Sequence, residues 1–293
     1  MLFNEWLKNN SKIVLFDGGF GTELLRRGIL EPGKLPDILN IEKSDMIVEI
    51  HKSYYDAGSD MCHSNTFGST PLNLRTHSLE EKINEIIEKA LDNIQKACPP
   101  GRLVVGDIGP TGKFRPPVGN ASSEEWHSSF TTQTKLLEKG VDLFHIETIS
   151  DLEEMLSAVR AVKKVSNKPL IASITYKKTK RGFFTIMGDP LEKCINTLEN
   201  ENVDVIGTNC TLGSGDMLDL VKQAIDMTDM PISVKPNAGQ PRLEGTKTHY
   251  DQPIEEFVRD IQEMINLGVK IVGGCCGTTP ETISEIRKII DLI

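Results

Sequence analysis

Three of the six cysteines stand where thiol chemistry can be assembled. Cys210 follows the run Ile206-Gly207-Thr208-Asn209, and Cys275 and Cys276 follow Ile271-Val272-Gly273-Gly274. Six cysteines in 293 residues are too few for a disulfide scaffold, so they read first as metal ligands, reactive thiols or core filler. Zinc suits three thiolates, because it accepts soft sulfur in a tetrahedron, and three protein ligands leave a fourth position open for a reactant. Adjacent cysteines point to opposite faces of a regular strand, so Cys275 and Cys276 require an irregular backbone, which Gly273, Gly274 and Gly277 permit. The vicinal pair alone is equally compatible with inert packing. Cys210, at the end of another strand, turns the set toward metal binding. Cys62, Cys98 and Cys194 read as small buried apolar side chains.

Those sulfurs meet only if the fold places two strand ends side by side. Short β-rich runs alternate with longer segments of helical period, the pattern of parallel strands joined by crossover helices. The pattern predicts strands at Ile13 to Phe16, Asp60 to His63, Leu103 to Asp107, Leu143 to Glu147, Leu170 to Thr175, Val203 to Thr208, Ile232 to Lys235 and Val269 to Val272. It predicts helices at Met46 to Ala57, Leu79 to Cys98, Ser123 to Lys139, Leu152 to Val165, Pro190 to Glu199, Asp216 to Met227, Pro253 to Leu267 and Pro280 to Leu292. Ser78 before Glu81, Ser150 before Glu153, and Thr279 before Pro280 supply helix-start chemistry. No linker rich in Pro, Gly or Ser divides the chain.

An α/β fold with one closed (β/α)8 barrel, a TIM barrel spanning residues 1–293 as a single domain, fits this alternation. An open doubly wound sheet is the other arrangement it permits, but Asp17-Gly18-Gly19-Phe20-Gly21-Thr22 lacks the G-x-G-x-x-G spacing of a phosphate loop. In a barrel, active residues gather at the C-terminal ends of strands. The sixth and eighth strands carry the cysteines with only one strand between them, so one metal can reach all three.

The net charge of -9 argues against a nucleic-acid partner. The short basic run Lys177-Lys178-Thr179-Lys180-Arg181 reads as a solvated loop. No apolar stretch approaches the roughly 20 residues of a membrane span, and Met1 to Asn10 lacks the apolar core of a secretion signal, so a cytoplasmic location is expected. His63 and His145 lie in expected strands and read as satisfied core residues, and Trp6 and Trp126 as packing residues.

Four ordered stretches together resemble the homocysteine S-methyltransferase family. They are Val14-Leu15-Phe16-Asp17-Gly18-Gly19-Phe20-Gly21-Thr22, Gly207-Thr208-Asn209-Cys210, Pro236-Asn237-Ala238-Gly239, and Gly273-Gly274-Cys275-Cys276-Gly277-Thr278-Thr279-Pro280. The resemblance implies a zinc-bearing barrel that activates the thiol of homocysteine for methylation to methionine, with Cys210, Cys275 and Cys276 as the catalytic Zn2+ ligands. It also implies that Asp17 and Glu147 hold the substrate amino group and that Gly18 lies where backbone amides meet its carboxylate. Ser64, Asn65, Thr66 and Asn237 resemble further parts of the family's pocket.

A free thiol titrates near about 8.5, and coordination to zinc removes its proton, so no separate general base is expected. Three thiolates on Zn²⁺ give a net charge of about -1, which keeps an added substrate sulfur electron-rich.

The family's methyl donors differ: a methylated corrinoid, betaine, or a sulfonium such as S-methylmethionine. Betaine-using members carry an aromatic residue directly after the carboxylate of the fourth strand, whereas this chain has Thr148 after Glu147 and only 5% aromatic residues. The segments Glu147-Thr148-Ile149-Ser150-Asp151 and Pro236-Asn237-Ala238-Gly239-Gln240-Pro241 look closer to the homocysteine module of cobalamin-dependent methionine synthase. Because the sequence stops at Ile293, directly after the last expected helix, a corrinoid donor is expected to arrive on a separate protein. Selenocysteine as acceptor, and a non-catalytic zinc-binding barrel subunit, stand as the alternatives.

Overall fold

The computed structural model describes residues 2–9, 11–31, 33–245 and 247–293. Eight parallel strands form one sheet: β1 (Val14–Leu15), β2 (Met61–His63), β3 (Leu103–Ile108), β4 (Leu143–Ile149), β5 (Leu170–Ile174), β6 (Val205–Gly213), β7 (Ile232–Asn237) and β8 (Ile271–Val272). Their spatial order is β1-β8-β7-β6-β5-β4-β3-β2, so β1 pairs with the last strand and the order never reverses. That is the order of a nearly closed barrel and excludes the doubly wound alternative, in which the order turns back at a switch point.

The remaining seam, between β1 and β2, is bridged mainly by Asp60, with Ser59 Oγ donating to Phe16 O and the His63 amide to Asp17 on either side of it. The Asp60 amide donates to the Leu15 carbonyl at 2.7 Å, and the Asp60 carboxylate accepts from the Leu15 amide at 2.9 Å. That carboxylate is 1% exposed and is neutralised by Lys12, Arg102 and Arg287.

Strand alternation divides the side chains into two cores. Outward residues such as Leu15, Val104, Ile146 and Val234 pack under the helices. Inward residues such as Phe16, Met61, Val105, Leu143, Ile171 and Val205 form a separate apolar plug, closed by Phe3 of the helix Leu2–Lys8 with Trp6 against it. Two residues farther along the same inward faces the chemistry changes to His63, Asp107, His145, Ser173 and, on β7, Lys235, all buried. The barrel is therefore apolar below and polar toward the C-terminal ends of its strands.

The crossover helices lie at Ser44–Asp56, Ile83–Ala97, Ser123–Leu137, Leu152–Val165, Leu191–Asn200, Ser214–Ala224, Ile254–Asn266 and Pro280–Ile290, within a few residues of expectation. Two starts differ. Ser78 has φ 56°, a 3₁₀ turn follows it, and the helix begins only at Ile83. After β4 the cap is Asp151 rather than Ser150, its side chain accepting the Glu153 amide, because a carboxylate there also neutralises Arg115. Thr279 caps the last helix as expected, and Ser122 with Glu125 forms a reciprocal cap that the sequence reading does not single out.

The basic run is not a simple loop: Lys177–Thr179 and Gly182–Phe184 form a hairpin whose first strand is exposed, with Lys178 pairing with Asp216 and Asp219, and whose second strand buries Phe183. A second hairpin, Arg242–Glu244 with Lys247–His249, follows β7. Trp126 is packed as expected, 1% exposed. Among the described residues no helix is long and apolar enough to cross a membrane.

Asp60→Ala would remove the shared counter-ion of Lys12, Arg102 and Arg287 and the side-chain bond across the seam. A loss of about 3–5 kcal/mol in unfolding free energy is expected from breaking such a buried pair, measurable by urea denaturation.

Candidate metal centre and active site

β6 and β8 flank β7, and their C-terminal ends bring the three cysteines together. The Sγ atoms of Cys210, Cys275 and Cys276 all lie within 4.8 Å of one another, with Cys210 and Cys276 at 3.9 Å. Three sulfurs at about 2.3 Å from a shared tetrahedral ion stand about 3.8 Å apart, so the spacing fits a metal ion.

The electrostatics agree. Hydrogen bonds from Cys210 and Cys275, with a further one from Tyr250, pull the Cys276 thiol down to about 3. Cys275 is pushed far up by its bonds to Cys210 and Cys276 and by burial. Cys210 rises to about 11, because the bond from Cys275 is outweighed by the bond it gives Cys276 and by burial. A divalent cation held by the three sulfurs would resolve this competition, since it would balance several thiolates at once.

Two irregular strand ends aim these groups. β4 shifts register between Ile146 and Ile149, with Thr148 at φ 63°, and β6 shifts between Asn209 and Gly213, with Cys210 at φ 58° and Thr211 at φ 57°. Left-handed backbone costs a non-glycine residue on the order of 1–3 kcal/mol, so something must hold it. Asn209, fully buried, is that fastener. Its Oδ1 accepts the Thr148 amide at 2.8 Å, and its Nδ2 donates to Thr148 Oγ1 at 2.7 Å. The same Nδ2 lies 3.4 Å from Glu147 Oε2 and 4.0 Å from Cys275 Sγ, which joins the carboxylate side of the site to the sulfur side.

The vicinal pair leaves the β8 ladder after Val272, as its glycines allow. Cys275 N–H donates to Pro236 O, and Cys276 N–H to Asn237 Oδ1 at 3.1 Å, while Thr278 closes the turn onto Cys275 O. Gly277 has φ 84°, and a Cβ at Gly274 would lie 2.3 Å from the Thr278 side chain.

Beneath the sulfurs runs a buried polar chain. Asp17 Oδ1 is 2.6 Å from His63 Nδ1, His63 Nε2 is 2.7 Å from His145 Nδ1, and His145 Nε2 is 2.6 Å from Ser173 Oγ. Gly207 is required beside it, because a Cβ there would sit 2.0 Å from Ser173 Oγ. Lys235, 3% exposed, lies in the middle: its Nζ is 3.0 Å from Glu147 Oε2, 3.8 Å from Asp17 Oδ1 and 3.2 Å from His63 Nδ1, over the ring of Phe16.

Burial works against the Lys235 charge, but Glu147 and Asp17 overcome it and raise its pKa. For Asp17 burial is likewise outweighed, by His63 and then Lys235, so its carboxyl stays below the ordinary range. His145 is driven well below its ordinary value by burial and by His63, and is neutral. His63, His145 and Glu147 also lie within 4.8 Å of one another, but the Lys235 ammonium fills the place a second metal ion would take. The histidines are satisfied core residues as expected, and they also set the charge balance under the site.

The other expected residues sit around this frame. Gly18 packs against Thr278 and Tyr54, where a Cβ would come within 2.8 Å of Thr278 Oγ1. Asn237 holds the Cys276 amide. Ser64 and Thr66, 2.7 Å apart through their hydroxyls, clasp the Asp107 backbone: Ser64 Oγ accepts its amide and Thr66 Oγ1 donates to its carbonyl. Asn65 is directed elsewhere, its Nδ2 donating to Pro36 O and Asn40 Oδ1.

Sequence reasoning passes over Asn209, Lys235 and Asp107, although each ends or directly follows an expected strand and the rule that selects Asp17 and Glu147 covers them equally. Tyr250, which lies beside Gly277 from beyond the second hairpin and helps lower the Cys276 thiol, has no local signal.

Comparison with known proteins bears on this geometry. The family model described as homocysteine S-methyltransferase matches residues 14–290. The chain belongs to the homocysteine S-methyltransferase family. The homocysteine methyltransferase MmuM from Escherichia coli, in its metallated form, superposes with a TM-score of 0.83 at 22% identity, covering 99% of this chain and 100% of that one. The methionine synthases of Mycobacterium tuberculosis and Mycobacterium leprae are each 27% identical, over 96% and 95% of this chain. The chain spans about a quarter of the length of those methionine synthases (25% and 24%).

Asn209→Ala would release the left-handed bend at Thr148 and untie it from the bend at Cys210 and Thr211, which Thr211 Oγ1 still anchors to Tyr176 O. Expected are a loss of about 1–3 kcal/mol in stability from unpaired polar groups and a roughly 10–100-fold weaker hold on added zinc, read by competition with a chromophoric chelator.

Proposed function

We propose that this family member is a zinc-dependent homocysteine S-methyltransferase that forms methionine, with residues 1–293 acting as one homocysteine-binding barrel domain. The convergence of Cys210, Cys275 and Cys276 carries the proposal, because three thiols and no fourth protein donor in the cluster, among the described residues, suit a catalytic rather than a closed structural zinc. When bound there, the metal supplies a substrate thiol that is deprotonated at neutral pH.

The chain's own residues bind and orient. Glu147 and Asp17 set a negative potential suited to a substrate ammonium, Lys235 keeps that potential from becoming excessive, and Gly18 brings backbone close to the substrate carboxylate. Asn209 and Asn237 hold the sulfurs at their spacing. No covalent enzyme intermediate is needed, since positioning a nucleophile and a methyl group in line supplies most of the acceleration.

We infer that the donor is a methyl-corrinoid carried by a protein. Alignment with about a quarter of two methionine synthases favours it. So does the exposed apolar surface on loops that follow strand C-termini: Phe67 after β2, Phe114 and Val118 after β3, and Ile186 after β5. Such a rim suits docking of a large partner. Thr148, with its backbone locked by Asn209, occupies the place where betaine-using members carry an aromatic residue.

The test pairs metal analysis with a donor screen on the purified protein: homocysteine with methylcobalamin, S-methylmethionine, betaine or methyltetrahydrofolate, scored for methionine. Selenocysteine and cysteine serve as competing acceptors. About one zinc per chain and turnover with methylcobalamin are expected. Cys210→Ala and Cys276→Ala should each abolish both. Full activity of a metal-free preparation would overturn the zinc assignment, and turnover only with S-methylmethionine or betaine would replace the corrinoid. Zinc without turnover from any donor would favour a non-catalytic subunit.

A further inference from the structure

The acidic residues of the polar layer are unequally provided for. Both Asp17 oxygens are engaged, Oδ1 with His63 Nδ1 and Oδ2 accepting the His63 amide at 2.8 Å, and the residue is 1% exposed. Glu147 uses Oε2 for Lys235 and Asn209, and among the described residues its Oε1 takes no hydrogen bond. Asp107 differs from both. It is 6% exposed, its Oδ1 is buried with no partner, and no described residue donates to either of its oxygens.

Yet Asp107 is held with care. Its amide is bonded by Ser64, and its carbonyl receives both Thr66 Oγ1 and Gln133 Nε2. On β3 it lies two residues beyond Val105 of the inner plug and level with His145 of β4, so its side chain points inward, one step below Glu147 on the neighbouring strand. A buried carboxylate normally finds a donor, because an unmet charge in such a place is costly. Burial, then the charge of Glu147, holds this carboxyl well above the usual range, against the pull of Lys235. Asp17 and Glu147 both lie against the Lys235 ammonium, whereas Asp107 has neither a cation nor a donor on its carboxyl among the described residues.

We propose that Asp107 is a substrate-binding residue that receives the α-ammonium of the amino-acid thiol together with Glu147 Oε1, while Asp17 acts as a positioning residue for His63 and Lys235. This rests on the reading of the site as one for homocysteine. Ser64 and Thr66 then have a defined role, since they fix the strand end that carries the ammonium acceptor. The site selects thiols that bring their own positive charge, because only those complete the charge balance of the layer.

The experiment is calorimetric titration of the zinc-loaded protein and its Asp107→Asn variant with homocysteine and with mercaptobutanoate, the same thiol acid without the amino group. Asn replaces an unpartnered buried carboxyl at constant volume, so the variant is expected to fold with at least wild-type thermal stability and to keep its zinc. A charge-assisted hydrogen bond in such a site corresponds to roughly 10–100-fold in affinity.

Homocysteine should therefore bind the variant at least about 10-fold more weakly, mercaptobutanoate should bind both proteins within about twofold, and in turnover KM should rise more than kcat falls. Unchanged homocysteine affinity in the variant, or equal weakening of both thiols, overturns the role of Asp107 and leaves the homocysteine reading intact. A wild-type protein that binds neither thiol overturns both.

Discussion

Three sulfurs on two separate strands can share one ion only if regular strand geometry is broken where they sit. Side chains on a pleated strand alternate, so Cys275 and Cys276 on an extended β8 would face opposite ways, and Cys210 on an extended β6 would follow the inward Asn209 outward. The molecule solves this twice. β8 stops at Val272 and hands the pair to a glycine-bounded turn, and β6 places Cys210 and Thr211 in left-handed backbone. The second solution carries strain, which Thr211 Oγ1 meets by donating to Tyr176 O, while Asn209 secures the bend at Thr148. By tying the β6 bend to the matching bend at Thr148, it makes the position of Glu147 depend on the position of the cysteines.

The polar layer beneath follows from the same demand. A thiolate cluster with nearby carboxylates would repel itself in a low-dielectric barrel without a counter-ion, and Lys235 is a buried cation placed between them. His145, kept neutral by burial, and the Asp17-bound His63 carry hydrogen bonds from one wall to the other. Below that level the barrel needs no polarity, and the Phe3 helix seals it with apolar packing. Stability is thus concentrated at the bottom and at the Asp60 seam, and charge at the top.

Much of this is legible from residue order. Eight strands, the barrel and the meeting of Cys210 with Cys275 and Cys276 follow from periodicity and from the rule that chemistry sits at strand ends. What escapes has physical reasons. Lys235 and Asp107 end strands whose inward face is visible only once the register with their neighbours is known, so each looks like an ordinary strand terminus. Asn209 is eclipsed by the cysteine after it, and the left-handed Thr148, Cys210 and Thr211 carry no glycine to announce them. Ser150 loses its expected capping role to Asp151 because the acidic side chain both caps the helix and neutralises Arg115. Family resemblance marks Ser64 and Thr66 as pocket residues, and the structure shows them gripping Asp107.

X-ray absorption at the zinc edge, recorded on the metal-loaded protein before and after homocysteine, tests the proposed open coordination position most directly. The expected spectrum changes from three sulfurs and one lighter atom to four sulfurs, all at about 2.3 Å. A count of four protein ligands before addition, or a sulfur count unmoved by a saturating thiol, would contradict the account.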